Sequence, residues 1–314
     1  MRQSVSVVLP TFNGERYIAE AIQSALAQTI PPAEIVVVDD GSTDGTEAIV
    51  QSFGAEVRYI RQANKGVSGA YNTGIGAATG THIALLEHDD MWLPEKNALQ
   101  LAAFAQDEQI GMVFSPVELI ENGAPSKRDH ISPQYAAGVY SFADFFAQNR
   151  VLNCSSVMLK KAVIDNVGGF REDMRLAFDY DLWLRVAAKS RVVSLGTALA
   201  KYRIHDSNLS RDDNELMAAE GSLKAILYWS NSVYARNEVG SKPVKERVAA
   251  LHRRVAWDYA QLGRREEELV HLRAALRLQP FGLRGWRRYL WSQLDPNTRN
   301  RLTWYGRRVM RIVW

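Results

Sequence analysis

Short apolar runs that alternate with helix-periodic segments set the strongest limit on how this chain folds. Ser4–Leu9 is a compact β-branched run, and Ile35–Val38 contains no polar residue. An uninterrupted run of that kind suits a strand covered on both faces. Between the two, Glu15–Gln28 places Tyr17, Ile18, Ala21, Ile22, Ala25 and Leu26 on one helical face. Ser42-Thr43-Asp44 is a helix-start signal for a segment running to about Phe53. Val57–Ile60, a Gly-rich helix after Lys65, and His82–Leu86 continue the alternation. The repetition predicts an α/β fold, a mostly parallel, Rossmann-like sheet flanked by helices.

Further along, Leu93–Ala105 reads as a helix with Pro94 in its first turn, and Ile110–Phe114 as a strand. Glu121–Pro133 reads as a loop. Lys161–Val167 is helical and is broken by Gly168-Gly169. Tyr180–Ala188 is an amphipathic helix, and Val192–Arg203 returns to strand. From about Asp212 only helical patterns remain. The expected division is therefore residues 1–211 and a helical C-terminal appendage, 212–314.

Composition narrows the compartment and the partners. The single cysteine, Cys154, excludes an intrachain disulfide, fits a reducing compartment and is read as packing. No apolar run approaches the roughly 20 residues a membrane span needs. The net charge of +3 conceals an asymmetry: from Leu251 onward there are 14 arginines, no lysine and five acids. That basic end sits on an acidic body and points to an anionic partner.

Chemistry-bearing residues fall where strands end. Leu9-Pro10-Thr11-Phe12-Asn13-Gly14 ends the first strand and Val38-Asp39-Asp40-Gly41-Ser42-Thr43-Asp44 the second. In open α/β sheets ligands bind at that edge. Asn64-Lys65-Gly66 and Asn72-Thr73-Gly74 follow, in neither P-loop nor dinucleotide-fold order. Leu86-Glu87-His88-Asp89-Asp90 crowds three acids onto the end of a buried strand. Helix capping accounts for one such acid. A divalent cation, which takes oxygen ligands and bridges diphosphates, accounts for the group.

In order and spacing these five motifs resemble family 2 of the glycosyltransferases, with the GT-A fold, over residues 4 to about 105. A looser resemblance continues to about 211. It implies a nucleotide-sugar-binding half, 1–105, and an acceptor-side half, 106–211. Pro10, Thr11 and Asn13 would line the nucleobase pocket, Asp39 would hydrogen-bond the base, and Asp40 would support that loop. Lys65 and Asn72 would sit near the diphosphate or donor sugar. Glu87-His88-Asp89 occupies the family's Asp-x-Asp position. Asp89 would bind Mn²⁺ or Mg²⁺, Glu87 would contact ribose or metal, and His88 would face the sugar or solvent. Glu87 is a departure, since the family usually carries Asp there.

Gly168-Gly169-Phe170 and Phe178-Asp179-Tyr180-Asp181-Leu182-Trp183-Leu184-Arg185 resemble the family's acceptor-side stretch. The resemblance puts the catalytic base on Asp179, with Asp181 as rival and helix capping as the bland alternative. Phe178 replaces the family's Glu. Tyr202-Arg203-Ile204-His205 and Ser210 resemble the closing motif, in which His205 would complete the metal site and Arg203 would meet the diphosphate. The implied activity is an inverting transfer from a UDP- or dTDP-sugar to a glycan or lipid-linked acceptor in bacterial polysaccharide synthesis. The alternatives are a nucleotidyltransferase, whose Gly-x-Gly-Thr-Arg loop is absent, and a catalytically inactive nucleotide-sugar sensor.

The basic end mixes arginine with aromatics at 280–291 and again at 304–314. That composition suits a headgroup interface. The expectation is a cytoplasmic protein held peripherally at the inner face of an anionic membrane, with a helical lid or dimer contact as the alternative. No motif points to nucleic acid.

Overall fold

The computed structural model describes residues 3–121, 123–126, 136–208 and 214–294. Ser210 and the 304–314 stretch lie outside the described residues. The chain divides into two compact units, Met1–Arg211 and Asp212–Trp314.

The first unit runs β1 (Val5–Thr11), α1 (Ile18–Leu26), β2 (Glu34–Asp39), α2 (Thr46–Gln51), β3 (Arg58–Arg61), α3 (Gly66–Ala77), β4 (His82–Leu85), β5 (Met91–Trp92), α4 (Lys96–Phe104), β6 (Ile110–Phe114), β7 (Val117–Glu121), β8 (Ala124–Pro125), β9 (Gly138–Tyr140), α5 (Phe142–Ala147), β10 (Met158–Lys160), α6 (Lys161–Val167), α7 (Phe178–Ala187), β11 (Arg191–Ser194) and β12 (Ala200–Ile204). The main sheet has the order β3-β2-β1-β4-β10-β6-β11-β9. Strands β3, β2, β1 and β4 are mutually parallel. β10 enters antiparallel between β4 and β6, and β9 is antiparallel to β11. A second sheet, β5-β12-β7-β8, is small.

The apolar runs are explained by two-sided cover. Val5, Val7, Leu9, Ile35 and Val37 share a core with Ile18, Ala21, Ile22 and Ala25 of α1. Val36 and Val38 point the other way, onto Ala70 of α3. With helices on both faces, neither side of the strand period is left for polar residues.

Three readings of the sequence change. The 121–133 region, expected to be a loop, contains part of β7 and all of β8, joined through Gly123 at φ +77°; residues 127–133 lie outside the described residues. Val192–Arg203 is two strands in different sheets, separated by a turn with Gly196 at φ +71°. The helix expected from Leu93 begins at Lys96, because Met91–Trp92 are drawn into a ladder with Ala200–Lys201. Neither Asp89 nor Asp90 caps it.

The second unit contains α8 (Glu215–Ser230), α9 (Val233–Glu238), α10 (Ser241–Gln261), α11 (Arg265–Leu278) and α12 (Leu283–Gln293). α10 packs on α8 and α11, and α12 on α11. Among the described residues, no helix is long and apolar enough to cross a membrane.

The glycines of α3 serve packing. A Cβ on Gly74 would overlap Val8 and come within 3.2 Å of Val38, whereas one on Gly76 would meet open space. Gly74→Ala should therefore cost about 1–3 kcal/mol through overpacking. Gly76→Ala should be neutral or stabilise by up to about 1 kcal/mol through helix propensity. Urea denaturation of the two variants checks this contrast.

Candidate active site

Because β2, β1 and β4 are adjacent and parallel, their C-terminal ends open onto one edge. The loops after β1 and β2 are clamped together there. Asn13 N–H donates to Ser42 Oγ (2.9 Å), and its own Oδ1 accepts from Thr43 N–H (2.9 Å). Gly14 N–H donates to Thr46 Oγ1 (2.8 Å), and Gly45 N–H to Glu15 Oε2 (2.7 Å). Asn13 adopts φ +50°, a left-handed conformation that asparagine tolerates. Pro10 and Thr11 are buried in the strand, so Asn13 and the half-exposed ring of Phe12 present this loop to solvent. Phe12 carries no sequence signal beyond its place between Thr11 and Asn13.

Asp39 accepts from Ser42 N–H (2.7 Å) on one oxygen and from Tyr59 Oη (2.6 Å) on the other. Burial works against its charge, but the bonds from Tyr59 and Ser42 and the nearby Arg61 outweigh it and hold the carboxyl below its usual range. Asp40 accepts from Gln62 Nε2 (2.7 Å) and Lys65 N–H (2.8 Å), which ties β2 to the start of α3. The Lys65 side chain is exposed at that helix start. Asn72, expected near the diphosphate or donor sugar, makes a structural bridge. Its side chain bridges to the Gly169–Phe170 turn, accepting from Phe170 N–H (2.8 Å) and donating to Phe170 O (2.9 Å) and Glu172 (3.0 Å).

The turn after β4 is the centre of the site. Asp90 is buried and accepts three bonds: from Asn153 Nδ2 (2.6 Å), Ser155 Oγ (2.6 Å) and Arg203 N–H (3.0 Å). Asn153 and Ser155 reach it because β10 runs antiparallel to β4, which brings the segment before β10 to this edge. Asp89 accepts from His205 Nε2 (2.9 Å) and Asn208 Nδ2 (3.3 Å). His88 lies over Gly14, where a Cβ would sit 2.8 Å from its ring. Glu87 is partly exposed, and its N–H donates to Ser155 Oγ (2.9 Å).

Arg203, expected at the diphosphate, braces the turn. Its Nε donates to Asp89 O (3.0 Å), one terminal nitrogen pairs with Glu20 (2.6 Å), and its guanidinium lies 4.5 Å above the Tyr17 ring. The pairing of β12 with β5 sets that position. Asn153, Ser155 and Asn208, which hold the acids, are hidden in the sequence because they come from distant segments.

Asp179 stands in the first turn of α7, facing this cluster, and its charge is among those felt by Glu87. It does not cap the helix: the cap position is Ala177, a non-glycine residue at φ +57°. Asp181 is fully buried and paired with Arg185 (2.8 Å) and Arg171 (3.6 Å). Those pairs commit its carboxylate to the packing of α7. Cys154 packs beneath the acids, where burial and the charges of Glu87 and Asp179 push its thiol well above the usual range and leave it inert.

Packing acids together perturbs them. Burial, then the charges of Asp90, Asp89 and Asp179, raise Glu87 well above its ordinary value. Burial and the Asp89 charge push Asp90 up to about 8. Burial raises Asp179 as well. Asp89 is the exception: burial opposes its charge, but the His205 hydrogen bond and the two histidines outweigh it.

This donor set fits a hard divalent cation as a half-site. Asp89 and His205 place a carboxylate oxygen and an imidazole nitrogen side by side, and a cation there would replace the proton that His205 Nε2 shares with Asp89. Mg²⁺-type sites commonly use one or two carboxylates and leave other positions to substrate phosphates and water. Glu87 does not close a three-residue cage, and among the described residues no three His, Cys, Asp or Glu side chains are grouped to hold a cation.

The chain is similar to known glycosyltransferases. The sequence profile of Glycosyl transferase family 2 matches residues 6–160. An uncharacterized glycosyltransferase of Rickettsia typhi, RT0329, is 33% identical over 208 residues, 65% of this chain and 64% of that protein. The chain thus spans just under two thirds of that relative. The Escherichia coli UDP-Glc:alpha-D-GlcNAc-diphosphoundecaprenol beta-1,3-glucosyltransferase WfgD is 28% identical over 66% of this chain and 79% of its own. The solved structure of mannosyltransferase PcManGT from Pyrobaculum calidifontis, in complex with GDP-Man and Mn²⁺, superimposes with a TM-score of 0.60. It is 18% identical and covers 93% of this chain and 85% of that one. The fold is shared with GT-A glycosyltransferases.

The raised carboxyls set a pH dependence. Glu87 and Asp90 bind protons more tightly in the folded state than in the unfolded chain, so stability falls as pH rises toward about 8. His82 and His252, both lowered to about 4, act in the opposite sense only below about pH 6.5. In the presence of a chelator, the thermal midpoint should fall between pH 6.5 and 8, and Glu87→Gln should flatten that fall. A midpoint that rises over this window would contradict the cluster.

Proposed function

Since the chain belongs, through residues 6–160, to glycosyl transferase family 2, we propose that it is an inverting glycosyltransferase that moves a sugar from a nucleoside-diphosphate donor to an acceptor hydroxyl. The observation that carries this reading is the convergence of the clamped β1 and β2 loops, the Asp89–His205 pair and Asp179 on one edge of the sheet. Asn13 and Phe12 offer a nucleoside surface, backed by the β2 loop that Asp39 holds. Lys65, exposed at the start of α3, is placed for diphosphate oxygens.

Asp89 and His205 would hold the divalent cation, which would offset charge on the departing nucleoside diphosphate. Asp90 and Arg203 position rather than react: both are committed to the bonds that hold the turn. Asp179 takes the proton of the acceptor hydroxyl as its oxygen attacks the anomeric carbon and the bond to the diphosphate breaks. Its raised affinity for protons suits a base, and turnover should decline on the acid side as it becomes protonated. Asp181 is fixed in ion pairs, and no second carboxylate is assigned as nucleophile. A single displacement, and hence inversion, follows. UDP- or dTDP-sugars are the favoured donors, and a lipid-linked glycan, like that in the name of the E. coli relative, is the favoured acceptor class.

A donor panel tests this directly. Release of nucleoside diphosphate from one nucleotide-sugar should require Mn²⁺ or Mg²⁺ and be lost in Asp89→Ala. Asp179→Asn should lower kcat by about 10²–10⁴-fold while leaving donor affinity and the thermal midpoint near the parent's. Asp181→Asn should instead lower the midpoint, since it leaves the buried Arg185 unpaired. Retained anomeric configuration in the product would rule out the single displacement. Donor binding without turnover under all acceptors would favour a sensor.

A further inference from the structure

We infer that α11 and α12 of the second unit form a surface that seats on an anionic phospholipid bilayer, independently of the reaction above. Helix α12 is inverted relative to an ordinary amphipathic helix. Its inner side is small and polar. Gly285 is packed so closely on Leu276 that a Cβ would lie 3.0 Å away. Arg288 sits 4.2 Å above the Trp257 ring and 3.6 Å from Glu268, and Ser292 is fully buried. The apolar stripe faces outward instead: Leu283, Trp286 and Leu290, at spacings of three and four, are 86%, 43% and 59% exposed. Phe281, just before the helix, is 95% exposed. A stripe of this kind normally points into a core.

The groove beside the stripe supplies the charge. Arg273 and Arg277, one turn apart on α11, line it with Leu276, Trp286 and Tyr289. Both arginines are exposed, and neither has an acidic partner among the described residues. Arg287 is exposed on α12 between Trp286 and Leu290. Trp286 belongs to both groove and stripe, and its Nε1 donates to Pro280 O (2.6 Å), which holds the ring at the boundary. Guanidinium groups at phosphate level, a tryptophan and a tyrosine beside them and aliphatic side chains beyond match the layering of a bilayer surface: phosphate, interface and acyl chain. A protein partner would satisfy the stripe, but it would not by itself call for the exposed guanidinium groups of Arg273 and Arg277 beside it.

The test uses the full chain and sedimentation with vesicles of phosphatidylglycerol mixed with phosphatidylcholine, or of phosphatidylcholine alone, at moderate salt. The expected result is binding to the anionic vesicles and little to the neutral ones. Two independent variants, L283E/L290E and R273E/R277E, should each weaken that binding by at least about tenfold. Circular dichroism and the thermal midpoint should stay at parental values, since all four side chains are exposed or at the groove edge. Equal binding of both variants and the parent would place the contact elsewhere and overturn the inference. So would equal affinity for neutral vesicles, or no binding at all. Stabilisation by inorganic phosphate without vesicle binding would make the groove a soluble-anion site. A dimer that L283E/L290E dissociates, again without vesicle binding, would make the stripe a self-contact. Either outcome would also overturn the inference.

Discussion

The first unit is organised around the burial of Asp90. A carboxyl group removed from water at the end of a central strand is costly unless donors surround it. Here the donors come from three distant places: Asn153 and Ser155 before β10, and the Arg203 backbone in β12. Each is where it is because its strand is paired, β10 against β4 and β12 against β5. The same bonds fix the turn that carries Glu87, His88 and Asp89. The turn is thus held by a residue whose carboxyl oxygens are already occupied. Arg203 belongs to this scaffold, since it joins the turn to α1 through Glu20 and Tyr17.

Around that turn, similar residues are separated by environment into different roles. Asp39 and Asp40 are saturated by nearby donors and hold loops. Asp181 is neutralised by two arginines. Asp89 is held below its usual range beside His205, whereas Glu87 is raised by burial and by the charges of Asp90, Asp89 and Asp179, and Asp179 is raised by burial. Perturbed carboxyls grouped in this way mark a candidate functional site. Ala177 adds local backbone strain at the start of α7, in a left-handed conformation that costs about 1–2 kcal/mol for a residue with a Cβ. That strain lies two residues from the proposed base.

The second unit follows different physics. Its helices bury Leu272, Ala275 and Leu276 in the ordinary way, but α12 turns its aliphatic side outward and its arginine–tryptophan contact inward. Composition alone could not separate these faces, because Arg287 and Arg288 are neighbours in sequence and are used in opposite ways. One is exposed, and the other is held on Trp257.

What the sequence determined by itself was what local pattern encodes. The unbroken run Ile35–Val38 required a strand covered twice. The acids after β4 could not all be caps, and the order of five loop motifs carried the resemblance to family 2. The bracing bonds of Asn72 and Arg203, both expected at the donor, join segments far apart in the chain and had no local signature. The donors to Asp90 and Asp89, the hairpin at Val117–Pro125 and the antiparallel sense of β10 had no local signature. Strand sense, register and the partner of a polar side chain depend on contacts between segments tens to more than a hundred residues apart. Those contacts are selected by packing the whole sheet, and only the tertiary structure decided them.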